Sequence, residues 1–167
     1  TANGDAAVSN FAPAAGMKSV EFDGDADYLS VSASSDFDVD GSSNSPITIE
    51  CWAYFTNFSA IRPLFELYSG DSNYLRLQMN SATQVEFKGA GGSGGVNNQV
   101  TTSVATGEWH HFAVVKDNSA NWQIFINGSA VGSTVSYYAD TSTWNLYVGF
   151  DDVNIHRYMN GYISNLR

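Results

Sequence analysis

The stretch Ile47-Thr48-Ile49-Glu50-Cys51-Trp52-Ala53-Tyr54-Phe55 alternates along its whole length. Successive side chains of a β-strand point to opposite faces. Ile47, Ile49, Cys51, Ala53 and Phe55 therefore share one face, and Thr48, Glu50, Trp52 and Tyr54 share the other. Few windows hold apolar residues at helical spacing, and Ser, Thr, Asn and Gly recur too often for long helices. Further strands are predicted at 19–22, 28–31, 64–68, 74–79, 84–88, 109–116, 122–126, 146–149 and 159–166. Turn residues separate them at the ~8–12-residue spacing of all-β folds. Asn127-Gly128 is the strongest turn signal, because a two-residue type I′ turn needs positive φ at both positions. Strands joined so tightly are antiparallel, so the predicted class is an all-β antiparallel sandwich.

The 167 residues suffice for one sizeable core. Of these, 43% are apolar, 14% aromatic and only 14% charged, with a formal net charge of -10. A disordered acidic tail lacks aromatics to bury, and phosphate-backbone binding needs Lys and Arg, so both classes are excluded. No apolar run approaches the ~18 residues of a membrane span. No signal-peptide pattern opens the chain. Beginning at Thr1 and stopping at Arg167 inside a strand pattern, it reads as processed or cut from a longer protein. Cys51 is the sole cysteine; its place on the apolar face of a strand predicts a buried, inert thiol. The glycine-rich run 89–95 lacks a following Gly-Lys-Ser/Thr and reads as a loop between strands rather than a phosphate cradle.

Seven of the 17 acidic residues fall between Glu21 and Asp40, and Asp outnumbers Glu by twelve to five. Short carboxylates in turns suit hard, oxygen-seeking cations. Asp36-Phe37-Asp38-Val39-Asp40-Gly41 opens like an EF-hand loop, but its twelfth position is Ile47 and its flanks are not helical. Asp23-Gly24-Asp25-Ala26-Asp27 is the better calcium candidate, with Asp23, Asp25 and Asp27 as ligands. The same residues also read as a plain turn held by side-chain bonds to backbone N–H groups, and both readings stay open. His110 and His111 alternate on a strand, one packed and one facing solvent, which argues against zinc.

Catalysis finds no signature. No Gly-x-Ser-x-Gly elbow is present. An acidic Glu-x-Asp-x-x-Glu strand for glycoside hydrolysis is also missing: the nearest approach, Glu21-Phe22-Asp23-Gly24-Asp25-Ala26, ends on Ala26 and runs into a turn. Aromatic residues exceed what turns require. Sugar rings stack their C–H faces on aromatics while Asp, Asn and Gln fix the hydroxyls. Tyr137, Tyr138 and Trp144, followed by Asp151, Asp152, Asn154 and His156, supply that mixture and form the predicted ligand-binding set.

Five segments then carry a resemblance: Ser19 to Leu29, Ile47 to Ala53, Gly107-Glu108-Trp109-His110-His111-Phe112-Ala113-Val114-Val115, Ile124 to Gly128, and Met159-Asn160-Gly161-Tyr162-Ile163-Ser164-Asn165-Leu166-Arg167. In that order they resemble the laminin-G-like group of the concanavalin A-like lectin/glucanase superfamily. The resemblance divides the chain into an N-terminal segment or linker, 1–18, and a domain, 19–167. It implies a jelly-roll sandwich acting as a non-catalytic adhesive or carbohydrate-binding module outside the cell or on a virion. Its partners are then a glycan or a protein on a surface or in an assembly, with a homo-oligomer left open. It further implies calcium near the turn from Asp23 to Asp27, close to the last strand. There Asn165 supplies a carbonyl oxygen where relatives commonly place an acid. The alternatives are a structural or decoration subunit without sugar binding and, remotely, a polysaccharide hydrolase.

Overall fold

The computed structural model describes residues 1–39, 45–91, 95–152 and 156–167. Two antiparallel sheets face each other, and the described residues contain no α-helix, only a 3-10 turn at Ser35–Phe37. In chain order the strands are β1 (Ala2–Asn3), β2 (Ala7–Ser9), β3 (Ser19–Asp23), β4 (Tyr28–Val31), β5 (Ile47–Phe55), β6 (Arg62–Gly70), β7 (Asn73–Ser81) and β8 (Gln84–Ala90). They continue as β9 (Val96–Thr101), β10 (Trp109–Lys116), β11 (Asn121–Ile126), β12 (Ser129–Ser136), β13 (Asn145–Val148), β14 (Phe150–Asp151), β15 (Arg157–Tyr158) and β16 (Asn160–Ser164). The first sheet runs β1-β4-β13-β6-β7-β8-β9 and the second β12-β11-β10-β5-β16-β3-β2. A separate ribbon, β14-β15, packs against β6.

The core lies between the sheets. Cys51, Ala53 and Phe55 of β5, Phe112 and Val114 of β10, and Trp122 and Ile124 of β11 face Leu67, Leu75, Leu77 and Phe87 of the first sheet, all at most 2% exposed. At roughly 1.5–3 kcal/mol for each buried large apolar side chain, this layer is the main source of stability. Burial pushes the Cys51 thiol up to about 12, as expected of a thiol on that apolar face. The turn between β11 and β12 has φ of 50° at Asn127 and 78° at Gly128, both positive as the type I′ reading requires. Gly161 is obligatory for closer packing: a Cβ there would stand 1.9 Å from the Tyr54 carbonyl oxygen.

Residues 1–18, read from sequence as a segment or linker, supply strands to both sheets. β1 pairs with β4 and β2 with β3, one edge strand for each sheet. Part of the glycine-rich run, 92–94, and two sequence-predicted positions, Asp40 and Asn154, lie outside the described residues.

Candidate functional site

The loop from 137 to 144, between β12 and β13, separates residues that the sequence reading had grouped. Tyr137 is 1% exposed; its hydroxyl donates to the Ala90 carbonyl at 2.8 Å, and its own carbonyl accepts the Trp122 indole N–H at 3.0 Å. A side chain so enclosed presents no stacking face, so Tyr137 is corrected from ligand contact to core pillar. Alternation decides this, because one residue further on Tyr138 is 40% exposed. Thr141, fully buried, ties the loop to the preceding connection: its hydroxyl donates to the Phe37 carbonyl at 2.5 Å and accepts the Val39 N–H at 3.0 Å. Asp140 accepts bonds from the backbone N–H and hydroxyl of Ser142, at 3.0 and 2.6 Å, which hold its carboxyl below the usual range. The loop and the β6–β7 turn line a cavity of about 520 Å3, walled by Ser69, Asn73, Tyr138, Asp140, Thr143 and Trp144. Trp144 is only 5% exposed and serves as the floor.

Asp151, Asp152 and His156 do not line this cavity. Asp151 is wholly buried, accepting from Arg76 Nη1 at 2.6 Å and Arg157 Nη1 at 2.9 Å. That double pairing corrects it from ligand contact to structural anion. Asp152 donates its backbone N–H to Glu66 Oε2 at 2.8 Å, and its carboxylate stands 3.4 Å from His156 Nδ1. The exposed His156 ring stacks on Phe150, with centroids 5.5 Å apart and planes 9° apart. These residues hold the β14-β15 ribbon over the outward face of the first sheet.

Sequence reasoning missed a polar row on that outward face, which the ribbon meets at β6 and through Arg76. Glu66, Arg76, Gln78 and Glu86 point away from the core yet are buried. Gln78 Nε2 donates to Glu86 Oε2 at 2.6 Å, and Gln99 Nε2 to Glu86 Oε1 at 2.7 Å. Among the described residues, Glu66 Oε1, Arg76 Nε and Gln78 Oε1 are buried without hydrogen-bond partners. Burial pushes the Glu66 carboxyl up to about 8. The signal was present: Glu66, Arg76, Gln78 and Glu86 interrupt apolar strands at period two. Glu66 is 0% and Glu86 3% exposed among the described residues.

At the turn between β3 and β4 the ligand set also changes. One carboxylate oxygen from each of Asp5, Asp23 and Asp27 lies within 4.8 Å of the others. Asp27, 2% exposed, accepts the Asp5 N–H at 2.7 Å and the Asp23 N–H at 3.0 Å through its two oxygens. Asp25 donates its backbone N–H to Asp23 Oδ1 at 2.7 Å, and its carboxylate stands outside the cluster. Asn165 is corrected by register: β16 pairs Asn160, not Asn165, with Asp23. Five residues of extended chain place Asn165 about 16 Å further along. Asn160 donates from Nδ2 to the Asp23 carbonyl. Asp5, in the segment before the predicted domain, could not be linked to this turn without the pairing of β2 with β3.

A family model described as the concanavalin A-like lectin/glucanases superfamily matches residues 23–167. The chain belongs to this superfamily. Its laminin-G-like character extends to solved structures. Domains LG4-5 of the mouse laminin alpha1 chain are similar at 18% identity and a TM-score of 0.68, covering 89% of this chain and 40% of that one. Domain 4 of AbnA, a GH43 extracellular arabinanase from Geobacillus stearothermophilus solved in complex with arabinotriose, gives 16% identity and 0.72, covering 98% and 74%. The enzymatically active domain of tailspike protein 2 from bacteriophage CBA120 gives 12% and 0.69, covering 96% and 26%. At these identities the likeness is one of fold. No curated protein matches the chain.

The calcium that the laminin-G-like resemblance implies can be tested against the donor set. Three hard carboxylate oxygens converge at the turn. The Asp5 carboxyl is raised chiefly by its bond with Asp27, then by the charges of Asp27 and Asp23, so the cluster is short of positive charge. The residues fit a divalent cation held by Asp5, Asp23 and Asp27, without Asp25 or Asn165.

Proposed function

We propose that this laminin-G-like domain is a non-catalytic recognition module that binds glycan through the Tyr138 cavity. The observation that carries the reading is the cavity itself. An exposed aromatic ring stands beside Asp140, Asn73, Ser69 and Thr143, a stacking face ringed by short polar groups. Similarity to a domain solved with arabinotriose supports the sugar, and similarity to an extracellular arabinanase and a phage tailspike supports work outside the cell or on a virion surface. Among the described residues no helix is long and apolar enough to cross a membrane. We take the folded unit as the predicted domain, 19–167, together with 1–18, which adds an edge strand to each sheet. Calcium held by Asp5, Asp23 and Asp27 supplies charge that neutralises the turn and stiffens it.

The test is a glycan array followed by titration of the best binder. Tyr138→Ala is expected to weaken binding about tenfold, the scale of one lost stacking face, with an unchanged melting temperature. A folded wild type that binds nothing on the array, or a Tyr138→Ala variant that binds equally, defeats the reading. For the metal, added calcium should raise the melting temperature of the wild type and leave Asp5→Asn where it was.

A second reading, a structural subunit of a surface or virion assembly, is favoured by one feature. Val8 (75% exposed) and Val31 (45%) flank an apolar cavity of about 410 Å3 lined by Val20, Leu29, Val148 and Leu166. Concentration-dependent association that a Val8→Lys substitution abolishes supports that reading, and a monomer at every concentration removes it.

A further inference from the structure

We infer that the outward face of the second sheet carries another binding site, an aromatic platform for one ring of an uncharged saccharide, separate from the Tyr138 cavity. Register builds the platform. Tyr54 of β5 stands opposite both Trp109 of β10 and Tyr162 of β16, with ring centroids 5.7 and 5.8 Å away. Phe11 of the N-terminal segment already rests on it. Its ring meets Tyr54 edge-on at 4.9 Å and Tyr162 at 5.0 Å, so the platform holds an apolar group against its rings. Phe11 itself remains 45% exposed.

Beside these rings opens a cavity of about 430 Å3, lined by Phe11, Tyr54, Thr56, Thr106, Gly107 and Tyr162. That size falls within the ~300–1,000 Å3 of small-ligand sites. Three rings offer faces for sugar C–H groups, and the Tyr54, Thr56 and Thr106 hydroxyls offer hydrogen bonds. No charged side chain lines the cavity. The flanking charges are of both signs: Glu21 accepts the Tyr162 hydroxyl at 2.9 Å, the exposed Glu108 adjoins Gly107, and Lys18 donates to Asn10 beside Phe11. With no cation in the lining itself to pair with a carboxylate, the cavity suits a neutral sugar. The Trp109 indole does not line the cavity; its buried Nε1–H sits behind the Tyr54 and Phe11 rings, 5.7 and 5.5 Å away between centroids, so its resonance reports on what those rings meet.

The test uses the full chain carrying Tyr138→Ala, so that loss of the loop site and loss of this one are read separately. Indole N–H resonances of the four tryptophans are followed by NMR during titration with maltotriose, xylotriose and arabinotriose, and in parallel with trigalacturonate. The Trp109 resonance is expected to move with at least one uncharged probe and to stay still with trigalacturonate. Tyr162→Ala should weaken that binding about tenfold. Thr106→Val, which removes one exposed hydroxyl without touching the ring packing, should weaken it about fivefold; it carries the test if Tyr162→Ala does not fold. A Trp109 signal unmoved by every uncharged probe, or moved equally by trigalacturonate, overturns the inference. So does a folded pair of variants with unchanged affinity.

Discussion

On the first sheet the outward residues Glu66, Arg76, Gln78 and Glu86 are charged or polar, yet only 0–3% exposed. On the second sheet the outward residues Trp52, Tyr54, Trp109 and Tyr162 are aromatic and half-buried, with one side still toward solvent. Polarity alone would sort these faces the wrong way round. The difference comes from what crosses each face. The β14-β15 ribbon packs over β6 on the first and pairs Asp151 with Arg76, whereas among the described residues the N-terminal segment bearing Phe11 lies on the second. A sealed polar face must satisfy its charges internally. A half-open aromatic face keeps surface free for a ligand.

Three measurements bear on this contrast, beginning with the largest effect. Glu66 has its carboxyl raised from 4.5 to about 8 in the fold. The native state then binds more protons than the unfolded chain between those values, so this group's contribution to stability falls as pH rises through that window. The fall amounts to at most about 1.4 kcal/mol for each pH unit crossed. Glu66→Gln should therefore unfold at a higher temperature than wild type at pH 8.5, and the gap should close at pH 4.5. A constant gap across that range would show that the face is not sealed.

Next, Arg76→Leu should cost about 3 kcal/mol in urea unfolding. The low end of the range for broken buried pairs is expected, because Arg157 still reaches Asp151 at 2.9 Å. A cost below about 1 kcal/mol would place the Arg76 pair in the exposed class. The smallest effect belongs to the open face. Phe11→Ala removes a ring that is 45% exposed and should cost less than about 1 kcal/mol. A larger loss would make Phe11 a core residue and the platform a closed one.

The sequence was most legible where one face of a strand is buried and the other is not. β11 alternates along its whole length, β5 from Cys51 onward and β10 except at the buried Ala113, and both turn residues of Asn127-Gly128 have the positive φ their chemistry predicts. His110 and His111 likewise divide as alternation requires. His110 is buried with Nε2 3.2 Å from the Ala105 carbonyl, and His111 faces outward to Glu50. Edge strands were illegible. β12, SAVGSTVS, has no residue below intermediate exposure, so it carries no apolar period to detect. β1 and β2 are too short to show one. The ligand residues proved hardest, because Tyr137 and Tyr138 are chemically identical neighbours.

Sequence by itself determined the sandwich class, the antiparallel pairing, the inert thiol and the superfamily. Each is written in local alternation, in turn chemistry or in motif order. Only the tertiary structure decided which residues meet across long separations. Register set Asn160 rather than Asn165 against the Asp23 turn and brought Asp5 to Asp27. The ribbon's return over β6 turned Asp151 into a buried anion and a polar strand face into an interior. Strand chemistry is set by neighbours along the chain, whereas burial and convergence depend on which strand lies alongside and on what crosses above it.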